Sequence, residues 1–264
     1  MSNLPSSCKA EIKKLLLAVV REKLNEYSPE TQYMPFHHRL LGKDRYALFS
    51  FIHSMNTTLG TSIWEQLSTI IARSFGKVAQ HGKLLMGEID SETVALIEKI
   101  HHSLRTADVE VNKTNETELI KRSIKSGKAL KHPDSKVDFY LVTDGQENFI
   151  DLKTAKPNKE GFEALKRKLL NWTALKFSQN PAANVMTRLA IPYNPYHPKP
   201  YDRWTLKGLF DLKAGEVLVG EDYWNFIASS DIHNELLDVF SEAGNALRPE
   251  IDEKFSSIGN AKNI

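Results

Sequence analysis

Two aspartates and one lysine lie in a short segment whose pattern predicts a hairpin of two β-strands. Asp138 falls in the first strand-like run, residues 137–142, and Asp151 and Lys153 fall in the second, residues 148–154. An Asp-Gly pair separates the two runs, which is a strong signal for a tight hairpin turn. Residues two apart project from the same face of a strand, so we expect the three side chains on one face.

The chemistry of this trio depends on how the two strands pair. We take Gly145 and Gln146 as the two-residue loop of the hairpin. This register places Asp138 opposite Lys153 and diagonal to Asp151. Two neighbouring carboxylates suit Mg²⁺, which keeps several waters and binds through one or two carboxylates plus substrate phosphate. The lysine can orient or deprotonate a water and can stabilise negative charge on the phosphate, so the segment predicts phosphodiester hydrolysis.

Two alternatives stay open on spacing alone. Aspartates and lysines on a solvated strand face often pair across strands without any chemistry. Asp134 also competes with Asp138 for the role of the first acid, but it lies in a Lys-His-Pro-Asp-Ser segment before the strand. An aspartate in such a segment usually forms a turn, and we therefore favour Asp138.

The first hundred residues are expected to be helical. Apolar residues recur at helical spacing in residues 11–27, 62–75 and 91–104, and Ser91 is the predicted N-cap of the third helix. Polar residues in the segment 55–60 predict a turn that leads into the second helix.

The second half of the chain mixes strands and helices. After the hairpin we expect a helix at 161–177, a strand at 185–193, a proline-rich loop at 194–200, a short strand at 216–219, and helices at 222–228 and 233–247. Strand, strand, helix and strand after a leading helix argue for an α/β (α+β) fold with a mixed central sheet flanked by helices.

Composition limits the class of protein. The chain has 264 residues, of which 41% are hydrophobic and 26% charged, which excludes a disordered or fibrous chain. The single cysteine, Cys8, excludes a disulfide framework and a cysteine-based zinc site. The longest early apolar run, residues 15–20, is too short for a signal peptide or a membrane span, so we expect a cytoplasmic protein.

Charge is unevenly distributed although the net charge is only +2. Residues 121–136 hold six Lys/Arg against one acid, and residues 153–176 hold seven against two, so each stretch has a charge of +5. Residues 211–254 hold three Lys/Arg against eleven acids, which gives −8. This pattern favours a polyanionic partner for the middle of the chain, although solvated helix faces remain the alternative.

The order Asp138, then Asp151-Leu152-Lys153, resembles the split signature of the PD-(D/E)xK nuclease superfamily. Three longer stretches sharpen the resemblance: Pro35-Phe36-His37 to Glu65, Asp151 to Lys159, and Asn194-Pro195-Tyr196 to Asp211. Together they are similar to the family of type II restriction endonucleases that cut the interrupted palindromes GGNCC and GGWCC. The similarity covers about residues 35–248.

This resemblance implies a Mg²⁺-dependent enzyme that cuts double-stranded DNA as a homodimer, with a companion DNA methyltransferase in the same restriction system. It also implies a division into residues 1–110, a helical region that packs on the core and contributes its first helix, and residues 111–264, the nuclease core with its DNA-recognition loops. Both parts are expected in one compact unit.

The resemblance implies a role for Glu65 as a third metal ligand. Helices that precede the sheet in the superfamily often carry a glutamate that joins the metal site, and Gly60-x-x-x-Trp64-Glu65 fits that pattern. Ser62 lies three residues before Glu65, so a capping box explains the same glutamate equally well.

Two loops are candidates for contact with DNA. The predicted DNA-binding residues are Lys156, Asn158 and Lys159 after the hairpin, and Lys199, Tyr201 and Arg203 in and after the proline-rich loop. Lysines suit phosphates, whereas arginine and amide groups suit base edges. The alternative for the second loop is a rigid surface segment whose tyrosines pack on the core.

Two other functions remain possible at this point. One is a PD-(D/E)xK nuclease of the repair or resolvase type, which reads DNA structure rather than sequence. The other is a DNA-binding relative without catalytic activity, although the intact acids and lysine argue against it.

Overall fold

The computed structural model describes residues 3–27, 34–124, 129–131, 135–154 and 156–260. The chain forms two compact units: a helical unit of Met1–Ile70 with Asp231–Ile264, and a sheet unit of Ile71–Ser230. The boundary expected at residue 110 lies inside the sheet unit. None of the described helices is long and apolar enough to cross a membrane.

The helices and strands of the described residues follow in chain order. They are α1 Ser6–Glu26, α2 Pro35–Leu41, α3 Lys43–Thr58, a π-helical turn Leu59–Ile63, α4 Trp64–Ser74, β1 Val78–Leu84, β2 Glu88–Asp90, α5 Ser91–Arg105, α6 Lys113–Ser123, β3 Ala129–Lys131, β4 Lys136–Thr143, β5 Gln146–Leu152, α7 Lys159–Gln179, β6 Val185–Ile191, α8 Trp204–Leu209, β7 Val217–Val219, α9 Glu221–Ala228 and α10 His233–Asn260.

The helical unit is organised around α1 and α10. Cys8, Ile12 and Leu16 are four residues apart and buried, so they form one apolar stripe of α1. Ion pairs flank this stripe: Lys13 lies 2.9 Å from Glu242, and Arg21 lies 2.9 Å from Glu250. Because the paired residues advance in the same direction along both helices, α1 and α10 run parallel.

The predicted turn at residues 55–60 is wrong. Helix α3 continues through the π-helical turn directly into α4, so no helix begins at residue 62 and the capping-box interpretation of Glu65 fails with it. The polar residues fit within the helix because their hydroxyls bond back to it: Thr57 donates to the carbonyl oxygen of His53 at 3.0 Å, and Thr58 to that of Ser54 at 3.1 Å.

The sheet unit is built on a five-stranded mixed sheet in the order β1-β4-β5-β6-β7. Strands β1, β4 and β5 pair antiparallel, whereas β5, β6 and β7 pair parallel. This arrangement confirms the predicted α/β class. Strand β1 corrects the expectation of an entirely helical first hundred residues. Its sequence gives no clear alternation because it is an edge strand in which only Ala79 is buried.

The hairpin is confirmed, but its predicted register is wrong. Asp144 and Gly145 form the turn, with φ of +51° and +71°, and Thr143 pairs with Gln146. Positive φ at both central residues is the signature of a type I′ turn, which Asp-Gly favours. The ladder also pairs Phe139 with Ile150, so the next residues along it, Asp138 and Asp151, lie side by side.

Helix α7 covers one face of the sheet, and the predicted strand at 185–193 and helix at 161–177 are confirmed as β6 and α7. The apolar side of α7 buries Phe162, Leu165, Leu169 and Trp172.

Two shorter helices, α6 and α8, were not predicted. Helix α5 has Asp90 rather than Ser91 as its N-cap, because an Asp90 oxygen accepts from the Thr93 amide at 2.8 Å.

Candidate active site

The two acids of the hairpin are held in fixed positions by the strands that carry them. Asp151 is fully buried, and the side chain of Asp138 is 17% exposed. The Leu152 amide donates to Asp138 Oδ2 at 3.0 Å, which ties the Asp138 side chain to the neighbouring strand. The flanking residues Val137, Phe139, Ile150 and Leu152 are buried as predicted, so apolar packing anchors both strands.

Lys153 joins the two acids, as the spacing predicted. Its Nζ lies 2.6 Å from Asp151 Oδ1 and 3.5 Å from Asp138 Oδ2. The Lys153 amide also donates to the carbonyl oxygen of Ala190 at 3.0 Å, which fixes this end of β5 against β6. The side chain is 38% exposed, so a substrate from solvent can reach its ammonium group.

A second lysine, which sequence reasoning missed, completes the site. Lys168 on α7 contacts Asp151 Oδ2 directly, and its Nζ lies 3.8 Å from Asp138 Oδ1. We call Asp138, Asp151, Lys153 and Lys168 the active-site ring, because acids and lysines alternate around it. A signal was present: Lys168 lies four residues before the buried Trp172, which puts it beside the inward face of the helix.

The ionisation of the ring follows from its burial and its charges. Burial raises the pKa of Asp151, and the neighbouring charge of Asp138 adds to the increase, while the two lysines oppose it. Burial by itself lowers the pKa of Lys153, but the carboxylates of Asp151 and Asp138 outweigh burial and raise it above its ordinary value. Lys153 is therefore an ammonium group at neutral pH, which donates hydrogen bonds and attracts phosphate.

The donor set fits a hard divalent cation that is only partly held by protein. Asp151 Oδ1 is buried and makes no hydrogen bond of good geometry, although Lys153 is close to it. No group of three His, Cys, Asp or Glu able to hold a metal ion occurs within the described ranges. A cation here would have the carboxylates of Asp138 and Asp151, with water and phosphate for its remaining positions, which suits Mg²⁺.

The sequence offers two further acids for this site, Glu65 and Asp134. Glu65 lies in the first turn of α4 in the helical unit, whereas the active-site ring belongs to the sheet unit. Its role as a third metal ligand stays a prediction. Asp134, the competitor for the first acid, lies outside the described residues.

The three predicted DNA-binding residues after the hairpin have different local roles. Lys156 is exposed, and its Nζ lies 5.2 Å from the centre of the Tyr196 ring. Asn158 is the N-cap of α7, where its side-chain oxygen accepts from the Gly161 amide at 2.8 Å. The Nζ of Lys159 lies 3.9 Å from Glu163 on the first turns of the same helix. Their contact with DNA stays a prediction.

The second loop meets the first through Tyr196. Tyr196, which contacts Lys156, has its ring centre 5.6 Å from that of Tyr201. Tyr201 packs partly against the core, and the guanidinium of Arg203 lies 5.6 Å from the Phe162 ring on α7. Lys199 is exposed. The loop therefore combines a tyrosine that packs on the core with cations that reach solvent.

The interpretation of residues 153–176 as a stretch of cations facing a polyanion needs correction. Lys166 is fully buried, with Nζ 2.8 Å from Glu216 and 2.7 Å from Glu116. Lys113 joins them, with Nζ 3.3 Å from Glu216, and we call these four residues the buried ion cluster. Lys153 and Lys168 belong to the active-site ring. The cations of this stretch therefore face inward in part, because α7 presents Lys166 and Lys168 to acids of the sheet unit and Lys153 follows directly after β5.

Comparison with known proteins identifies similar chains. The family model described as "Type II restriction endonuclease, HinfI" matches residues 4–244. The type II restriction enzyme HgiEI of Herpetosiphon aurantiacus is 27% identical over 256 residues, which cover 90% of this chain and 91% of that protein. HgiCII of the same organism is 27% identical over 229 residues, covering 83% and 81%. The type II restriction enzyme MjaII of Methanocaldococcus jannaschii is 25% identical over 224 residues, covering 80% of this chain and 58% of that protein.

Proposed function

The chain belongs to the HinfI family of type II restriction endonucleases, and we propose that it cuts both strands of DNA with Mg²⁺ held by Asp138 and Asp151. The observation that carries this proposal is the position of the two carboxylates, side by side on adjacent strands, with Lys153 bridging them. This arrangement is the one expected of a PD-(D/E)xK nuclease, and we propose that the chain belongs to that superfamily.

The side chains of the ring divide the work of phosphodiester hydrolysis. Bound Mg²⁺ supplies positive charge that promotes ionisation of a water molecule and offsets charge on the phosphate. Asp138 and Asp151 would hold the ion, and buried apolar neighbours keep their carboxylates in place. Lys153 orients the attacking water and stabilises the negative charge that develops on the phosphate oxygens, because its ammonium group is both accessible and positively charged.

The two loops beside the ring are the proposed DNA contacts. Lys156, Lys159 and Lys199 bind phosphates, which sets the position of the duplex but not the sequence that is read. Arg203 reads base edges, since arginine is the usual reader of guanine. Asn158 contacts DNA through its amide nitrogen, because its side-chain oxygen caps α7. Tyr201 supports this surface because its ring packs against that of Tyr196. We propose a recognition site of the GGNCC/GGWCC type, because residues 35–65, 151–159 and 194–211 resemble the family that cuts such sites.

Glu65 is proposed as a further ligand of the metal. Its place in the first turn of α4 no longer has the capping-box explanation, because the helix does not begin at residue 62. If Glu65 binds the metal, Glu65→Gln raises the Mg²⁺ concentration needed for half-maximal cleavage. Glu92, in the first turn of α5, provides the matched control, since Glu92→Gln should not change that concentration.

We propose a homodimer as the active assembly. The described residues supply one set of Asp138, Asp151 and Lys153 per chain, and a palindromic site with two cuts calls for two sets related by a two-fold axis. Light scattering with a short cognate duplex in Ca²⁺ should give two chains per duplex. One chain per duplex would contradict the dimer. In the same restriction system, a DNA methyltransferase protects the cytoplasmic host DNA.

Cleavage of plasmid and genomic DNA tests the function directly. The wild-type protein should linearise plasmid with Mg²⁺ and not with EDTA, and sequencing the ends of a digested genome should return one interrupted palindrome.

Asp138→Asn should remove cleavage, whereas Asp134→Asn should retain it. Cleavage that survives Asp138→Asn but not Asp134→Asn would reassign the first acid. Binding without any Mg²⁺-dependent cleavage would identify an inactive relative, and cleavage directed by DNA structure would identify a repair-type or resolvase-type nuclease.

A further inference from the structure

Lys168 lies in the active-site ring but outside the Asp-x-Lys motif. It contacts the carboxylate oxygens that Lys153 does not contact: Oδ2 of Asp151, and Oδ1 of Asp138 at 3.8 Å. Lys153 faces the other oxygens, Oδ1 of Asp151 at 2.6 Å and Oδ2 of Asp138 at 3.5 Å. All four carboxylate oxygens therefore face an ammonium group.

This arrangement conflicts with the binding of a divalent cation. A cation shared by Asp138 and Asp151 needs one oxygen from each, and each of those oxygens already faces a lysine. The two acids and two lysines also sum to zero charge, so the intact ring has no net charge to attract a cation. At least one ammonium group must leave its carboxylates before the metal ion binds.

The contacts indicate which lysine leaves. Lys153 follows directly after β5 and donates a further hydrogen bond to the carbonyl oxygen of Leu152 at 3.3 Å. Lys168 reaches the ring from α7, and its contact with Asp138 is the longer of the two lysine contacts. The side chain of Lys168 is 22% exposed, so its ammonium group can move from the carboxylates into solvent without crossing the core.

We propose that Lys168 occupies the cation position between Asp138 and Asp151 in the metal-free protein and withdraws into solvent when a divalent ion binds. Lys168 therefore lowers the affinity for the metal ion and keeps the acid pair neutralised until the ion arrives. This inference rests on the proposed function, because it takes Asp138 and Asp151 as the metal ligands.

Calorimetric titration of the full chain with Ca²⁺, without DNA, tests this competition. Lys168→Met should bind Ca²⁺ about tenfold more tightly than the wild type, because the competing charge is gone. Lys176→Met removes the same charge from the same helix, where Lys176 pairs with Glu147 at 2.7 Å, and should leave the affinity within about twofold. Asp151→Asn should abolish the binding heat and so locate the site.

Two further variants keep the test decisive. Lys168→Gln retains a hydrogen-bond donor for Asp151 and replaces Lys168→Met if that variant does not fold, with the same expected increase. Lys168→Arg restores the charge and should return the affinity toward the wild-type value. Unchanged or weaker Ca²⁺ binding by Lys168→Met or Lys168→Gln overturns the competition while leaving the proposed function in place. Ca²⁺ heat that survives Asp151→Asn in all variants overturns the metal assignment as well.

Discussion

The sheet unit contains two clusters of the same composition, two acids and two lysines, at different depths. The active-site ring has side chains that are up to 38% exposed, whereas no side chain of the buried ion cluster exceeds 6%. Helix α7 contributes to both, through Lys168 and Lys166. The same groups therefore form an accessible site in one place and a structural element in the other.

Access to solvent decides what each cluster can do. In the buried ion cluster, Glu216 takes hydrogen bonds from Lys166 at 2.8 and 2.9 Å and from the Asp211 amide at 2.8 Å. Burial alone raises the pKa of Glu216, but Lys113 and Lys166 outweigh it and the pKa is lowered. The charged groups of this cluster are therefore paired with one another. In the ring, both lysines reach solvent, with side chains 38% and 22% exposed, so a substrate or an ion can exchange with the partners of either one.

The largest expected effect is the loss of cleavage when the ring is broken. Asp151→Asn should reduce plasmid cleavage on the order of 10⁴-fold, about 5.5 kcal/mol of barrier, because one of two metal ligands is lost. The free energy of unfolding of this variant should change by less than about 1 kcal/mol, since water can solvate Lys153 and Lys168 once the Asp151 charge is gone. Cleavage within about tenfold of the wild type would contradict the assignment.

The buried ion cluster should respond in the opposite way. Glu216→Gln should lower the free energy of unfolding in urea by about 3–5 kcal/mol, because Lys113 and Lys166 lose their shared buried partner. The folded fraction should still cleave DNA at the wild-type rate at low temperature. A selective loss of cleavage without loss of stability would show that this cluster takes part in function.

A double-mutant cycle sharpens the structural interpretation of the cluster. Lys166→Met alone leaves Glu116 without its cation, and we expect a loss of about 2–3 kcal/mol in unfolding free energy. Adding Glu116→Leu removes that unpaired acid and leaves Lys113 with Glu216, so the double variant should recover about 1–2 kcal/mol. Additive losses in urea denaturation would show that the two residues are not coupled.

The smallest effect concerns Lys176 of α7 and Glu147 of β5, an ion pair at intermediate depth. Burial acts to raise the pKa of Glu147, but hydrogen bonds from Lys176 and Tyr140 outweigh it and the pKa is lowered. Glu147 therefore contributes stability that is present above its ordinary pKa of 4.5 and lost as the pH falls below that value.

Glu147→Gln should accordingly flatten the decline of stability below pH 4.5. The effect should be no more than about 1 kcal/mol, because the pair is partly solvated. Urea denaturation at a series of pH values measures it, and Lys213→Met, on an exposed side chain, is the control. A slope identical to that of the wild type would show that Glu147 has an ordinary pKa in the folded protein.

Local patterns in the sequence were sufficient for the elements of the site. The Asp-Gly pair and the apolar residues on either side predicted the hairpin, and the spacing of Asp138, Asp151 and Lys153 predicted their common face. Both features depend only on residues close together in the chain, whose backbone preferences are local. The same holds for α7, which the recurrence of apolar residues predicted.

Tertiary structure decided the role of the lysines, and the structure also corrected the register of the hairpin. The turn adopts its type I′ conformation at Asp144 and Gly145, which shifts the pairing so that the two aspartates lie side by side. Lys166 and Lys168 are two residues apart in a basic stretch, and each lies four residues before a buried residue of α7, so helical spacing does not tell their partners apart. The packing of α7 on the sheet gives one a glutamate 50 residues away and the other an aspartate of β5. Such partners come together only when distant segments fold against each other, so local periodicity does not encode them.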